Sequence, residues 1–165
     1  MAKADPKLAG PTIQDDPIDF NDAEDFKLPS DGVHDGNLTN VELAVTKKTQ
    51  DLPPEDQREQ FVVTVTLGPE DQEAPNLPMR LYVGWPYPED KETMWGGRTA
   101  YGAKIKAIKD LMTAFGGQES GLATKEEILS YLYDQIGMAV KVQTKQSKRE
   151  DTDEMQANIS RLLPA

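Results

Sequence analysis

The chain has no cysteine, one histidine and two tryptophans in 165 residues. Without cysteine there is neither a disulfide nor a thiolate zinc site, a composition compatible with a reducing compartment. No apolar run approaches the roughly 18 residues that a membrane span needs. Met1-Ala2-Lys3 leads into no apolar signal core. The expected setting is the cytoplasm, with no membrane partner. Catalytic signatures are missing as well: there is no H-E-x-x-H, no nucleophile elbow and no Walker-type glycine loop. Carboxylates are plentiful, but none stands out as a paired acid and base. The single His34 reads as a turn residue, and Asp31, Asp35 and Asn37 beside it do not have EF-hand spacing. The chain is therefore expected to be no enzyme and to use no metal or cofactor.

What is present is one domain's worth of chain with an uneven charge distribution. The formal net charge is −11, which taken alone argues against nucleic acid as a partner. Residues 98–149, however, hold nine Lys and Arg against five Asp and Glu, a net +4 inside an acidic total. Residues 1–30 contain Pro6, Pro11, Pro17 and Pro29, many acids and few clustered apolar side chains. That composition predicts a flexible acidic arm. Within it, Asp15-Asp16-Pro17-Ile18-Asp19-Phe20 reads as a solvated stretch or as a short docking peptide. The domain proper is expected over 31–165.

Five strand-like segments, 38–46, 60–67, 79–84, 138–145 and 156–163, enclose a helical block over 99–136. Asp31-Gly32 and Asp35-Gly36 are read as turns that start the domain. Phe61 to Leu67 is rich in β-branched residues, and Val140 and Val142 alternate with Lys141 and Gln143. Ile105, Ile108, Leu111, Met112 and Phe115 recur at helical spacing up to Gly116-Gly117. Thr124 and Glu127 form a capping box ahead of a second apolar helical stripe. The order β-β-β-α-β-β is that of the five-stranded Greek-key OB-fold barrel, with helices between its third and fourth strands.

Three groups of residues carry the candidate binding chemistry. On strand faces turned away from the core, alternation places Arg80, Tyr82, Lys141 and Lys145, although an antiparallel sheet wets one face in any case. Between 85 and 101, Trp85, Tyr87, Trp95 and Tyr101 cluster among prolines and glycines, with Arg98 and Lys104 beside them. Such rings stack on bases, or else plug the end of a core. Lys148 and Arg149 suit phosphates at a hairpin that also carries Glu150, Asp151, Asp153 and Glu154.

Gly36-Asn37-Leu38, Ala114-Phe115-Gly116, Gly137-Met138-Ala139-Val140-Lys141-Val142 and Asn158-Ile159 carry a likeness. In these segments the chain resembles bacteriophage single-stranded-DNA-binding proteins with an OB-fold, over about residues 32–163. The resemblance implies a cytoplasmic replication or recombination accessory that coats single strands (host cytoplasm if phage-encoded). It also implies contacts with replication or recombination proteins through the acidic arm. Bacterial single-strand-binding proteins end in an acidic, Phe-terminated tail, whereas this chain ends Leu162-Leu163-Pro164-Ala165. The competing expectation is a structural or adaptor protein, a virion component or protein–protein module on a small β-barrel, to which the acidic segments are as well suited. An oligosaccharide-binding barrel would use the same rings without the lysines.

Overall fold

A computed structural model describes residues 17, 19–22, 28–149 and 154–165. Most of the proposed arm, including Asp15, Asp16 and Ile18, and the hairpin tip at 150–153 lie outside the described residues. The molecule is mainly β. Its strands are β1 (Gly32–Val45), β2 (Glu59–Leu67), β3 (Pro78–Gly84), β4 (Met94–Trp95), β5 (Arg98–Thr99), β6 (Ala139–Lys148) and β7 (Met155–Pro164). The helices are α1 (Ala100–Ala114) and α2 (Lys125–Asp134), between β5 and β6. Five strands form one antiparallel sheet in the order β3-β2-β1-β6-β7, and β4 and β5 form a small separate hairpin.

Period-2 patterning decides which face is buried. Phe61, Val63, Val65 and Leu67 of β2 are fully buried, opposite Val83, Leu81 and Met79 of β3. Val140 and Val142 of β6 and Leu162 of β7 continue the same core. Each such side chain is worth about 1.5–3 kcal/mol in burial. Ile108, Leu111, Met112 and Phe115 of α1, with Ile128 and Leu132 of α2, close it. The capping box forms as expected: Thr124 Oγ1 accepts from the Glu127 amide at 3.1 Å, and Glu127 Oε1 accepts from the Thr124 amide at 3.2 Å.

Strand β1 starts six residues before the expected 38, because Asp35-Gly36 is not a turn. Gly36 pairs with both Leu67 and Val140, where β1 passes from β6 to β2. A Cβ on Gly36 would lie 2.9 Å from the Thr66 carbonyl oxygen and from Val65 Cγ1. Glycine is there for close approach, not for a bend. His34 is likewise a strand residue, half-buried beside Val142. The N-terminal boundary also shifts: Pro29 is buried, and its carbonyl accepts from Gln146 Nε2 at 2.9 Å, so residues 28–30 pack on the domain. Ile105, expected on an apolar helix face, is exposed.

The outer strands β3 and β7 come within 8 Å of each other between Cα atoms, with no hydrogen-bonded ladder between them. A cleft of about 880 Å³ separates them. No helix among the described residues is long and apolar enough to cross a membrane.

Candidate nucleic-acid interface

The site is built on the outer face of β3. Arg80 pairs with Thr64, and Tyr82 with Val62, which is only 7% exposed although it faces away from the main core. Tyr82 itself is 54% exposed. Arg80, Tyr82 and Arg149 line the β3–β7 cleft, together with Met155, Asn158 and Leu28. The Arg149 amide donates to the Glu154 carbonyl at 2.9 Å, holding the base of the β6–β7 hairpin at the cleft's rim. Lys145 and Lys148 are exposed on β6, directly across from Asn158 and Met155.

Beyond Tyr82 the same face continues to Gly84. The absent side chain there leaves room for the stem of Lys104, whose Cε lies 3.4 Å from the position of a Gly84 Cβ. Lys104 Nζ sits 5.8 Å from the centre of the Trp95 ring. Trp95 is 51% exposed and stands opposite Arg98 in the β4–β5 hairpin, whose turn uses Gly96 at φ +67°. The hairpin is short, but the Ala100 amide donates to the Thr93 carbonyl at 2.7 Å and ties it to the start of α1. Thus rings and cations follow one another from Arg149 through Arg80, Tyr82, Lys104 and Trp95 to Arg98, all but Lys104 exposed. Neither Arg80 nor Arg98 makes an ion pair with a described residue.

Lys104 is less available. Its ammonium lies 3.0 Å from Asp90 Oδ2, which also accepts the Tyr87 amide at 2.9 Å. Burial works against the Asp90 charge. The hydrogen bonds from Tyr87 and Lys104, and the positive charges of Lys104 and Arg58, outweigh it and hold this carboxyl below its ordinary range.

Four other candidates fall outside this array. Trp85 packs edge-on against Phe61, with centroids 6.1 Å apart, and the Lys125 ammonium lies 6.0 Å above its ring. Lys125 is also ion-paired to Glu59, and that hydrogen bond raises its pKa above the usual lysine value. The Tyr87 hydroxyl accepts the Glu59 amide at 3.0 Å, and its ring lies under Arg58 at 4.6 Å. Tyr101 is covered by the Lys91 ammonium at 4.8 Å. Lys141 lies on the outer face of β6 with its ammonium 2.8 Å from Asp35. Proximity in sequence grouped these rings; tertiary contacts separate Trp95 from the other three.

A second, mostly apolar hollow of about 290 Å³ lies between α1 and the segment joining the helices, lined by Trp85, Tyr101, Ile105, Met112 and Leu122. The features that sequence reasoning missed are Leu28 at the cleft mouth, Asn158 within the cleft and Gly84 as the passage for Lys104. Of these, only Asn158 had a usable sequence signal, the alternation of the last strand. No known protein family matches the chain, and no curated protein matches it.

Proposed function

We propose that the protein is a non-catalytic, sequence-tolerant single-stranded-DNA-binding protein on a five-stranded Greek-key OB-fold barrel. The strand order β3-β2-β1-β6-β7, the facing edges of β3 and β7 and the helices preceding β6 support that assignment of fold. OB-folds bind ligands on the face of their second and third strands and in the loops beside it. The observation that carries the functional reading is the run of exposed rings, Tyr82 and Trp95, interleaved with Arg80 and Arg98 on one face. Rings supply stacking that is indifferent to base identity, and guanidiniums neutralise phosphates. The reading places the protein in phage replication or recombination in the host cytoplasm, with the acidic N-terminal segment available to other proteins of those processes.

The test is a fluorescence-anisotropy titration of a labelled oligothymidylate at low salt, with wild type beside Trp95→Ala. Stacking on one ring is worth about 1–3 kcal/mol, so the variant should weaken binding by about 5- to 150-fold. No binding by wild type at micromolar protein would sink the proposal.

The apolar hollow favours a second reading, a structural or adaptor protein, because Leu122 at its edge is 95% exposed. Under that reading Trp95→Ala combined with Arg98→Glu leaves every nucleic-acid interaction unchanged, and stable association with a protein partner or particle survives.

A further inference from the structure

His34 lies between two acceptors. Its Nδ1 is 2.8 Å from Asp71 Oδ2, and its Nε2 is 2.9 Å from the Ser30 carbonyl oxygen. A carbonyl oxygen can only accept. Asp71 is also an acceptor here. Burial works against its charge, but the amides of Ala74 at 2.8 Å and Glu73 at 3.0 Å on Oδ1, with the His34 ring, outweigh it and hold the carboxyl below its ordinary range, so Oδ2 carries no proton. Both ring nitrogens must therefore carry hydrogen for both bonds to exist, which makes the ring an imidazolium. A neutral ring would turn a lone pair towards Asp71 or towards Ser30. Keeping the charge-assisted bond to Asp71 would cost the bond to Ser30.

Ser30 roots the N-terminal segment. Its carbonyl also accepts from Thr144 Oγ1 at 2.6 Å, and its amide donates to Glu73 Oε1 at 3.2 Å. Two residues earlier, Leu28 lines the β3–β7 cleft. We infer that His34 is a proton-dependent clamp, which in its charged form tightens residues 28–30 onto β1 and the 68–77 loop and loosens its hold on them when it becomes neutral, leaving the bonds to Thr144, Glu73 and Gln146. The inference does not depend on what the cleft binds.

The surroundings favour the charge. Asp31, Asp35, Glu70, Asp71 and Glu73 line the hollow of about 380 Å³ next to the ring, and no Lys or Arg does. The nearby residues of β6, Val142 and Thr144, are uncharged, and Lys141 is tied to Asp35. Burial opposes protonation. The hydrogen bonds to Ser30 and Asp71 and the charges of Asp71 and Glu73 outweigh it, raising the His34 pKa above the ordinary 6.5. A raised pKa has a definite sign: the clamp is fully closed below about 6.5 and weakens as pH rises through the higher folded value.

Because His34 is the only histidine, its ring proton resonances report it without ambiguity in an NMR pH titration of the whole protein. Amide hydrogen exchange at Ser30 is measured over the same range and corrected for the intrinsic rate. The clamp requires a pKa above 6.5. It also requires Ser30 protection to fall about tenfold for each pH unit of that excess. Asp71→Asn supplies the opposite case. An amide nitrogen facing Nδ1 would donate to it, so a neutral ring makes both bonds, and Ser30 protection should no longer change with pH. A wild-type pKa at or below 6.5, or Ser30 protection unchanged across the titration, overturns the proposal even if the variant does not fold. Retained pH dependence in folded Asp71→Asn overturns it too.

Discussion

The salt dependence of binding tests the proposed interface more sharply than affinity does. Five cations lie along it: Arg80, Arg98, Lys145, Lys148 and Arg149. On a single strand each phosphate contact contributes about −0.7 to the slope of log affinity against log salt. Five contacts give a slope of about −3.5, and raising salt fourfold, from about 50 to 200 mM, weakens binding by about 130-fold. Arg80→Gln with Arg98→Gln removes two contacts and flattens the slope to about −2.1, so the same change in salt costs about 18-fold. Both side chains are exposed and neither is ion-paired to a described residue, so the double variant should unfold at the wild-type denaturant midpoint. The assay is anisotropy of a labelled oligonucleotide at four or more salt concentrations. A slope that is the same in wild type and double variant would refute the assignment of these guanidiniums to phosphates, whatever the absolute affinities.

Three further outcomes follow from the same contacts. Gly36→Ala should cost about 2–3 kcal/mol in urea unfolding, since the new methyl meets the Thr66 carbonyl oxygen and Val65 at 2.9 Å and the sheet backbone cannot yield cheaply; full stability would show that β1 can shift there. Trp85→Ala should lose about 3 kcal/mol by undoing its packing on Phe61, whereas Trp95→Ala stays within about 0.5 kcal/mol of wild type; equal losses would mean that the two indoles have been assigned the wrong roles. Removing residues 1–27, which carry three lysines against seven acids, should tighten oligonucleotide binding several-fold at about 50 mM salt and have little effect at about 500 mM. An unchanged low-salt affinity would leave the segment as a partner peptide or a spacer.

The legible parts of the fold were those that local pattern alone determines. Alternation along Phe61–Leu67 and Val140–Gln143 predicts two strands and their buried faces, and the same alternation points Arg80 and Tyr82 outward. Thr124 and Glu127 announce the start of α2 because the capping box is a four-residue device. Three of the misreadings involve a distant partner. Asp35-Gly36 has the composition of a turn, yet Val65, Thr66 and Val142 require a glycine in mid-strand. His34 reads as an exposed turn residue, and its partner Asp71 is 37 positions away. Trp85, Tyr87, Trp95 and Tyr101 look equivalent in sequence; only Phe61, Arg58 and Lys91 show which rings are already occupied. The β4–β5 hairpin has too few residues for periodicity to reveal.

A net charge of −11 is less of an obstacle to phosphate binding than it first looks, because total charge and local field are different quantities. Several acids are neutralised where they stand: Asp90 by Lys104, Glu59 by Lys125, Asp35 by Lys141 and Asp71 by His34. Exposed charges further away than about 8–10 Å are screened at ordinary ionic strength. A strand lying on β3 would therefore respond chiefly to the cations beside it and to the acids within that radius. Among the described residues the acid at the cleft itself is Glu154, on the hairpin with Arg149. Leu28, which opens the continuously described part of the chain, lines the same cleft. At the β3 end of the proposed interface the outer face presents Arg80 and Tyr82, a cation and a ring, with Glu154 as the acid lining the cleft, while at the far end Glu92 stands three residues from Trp95.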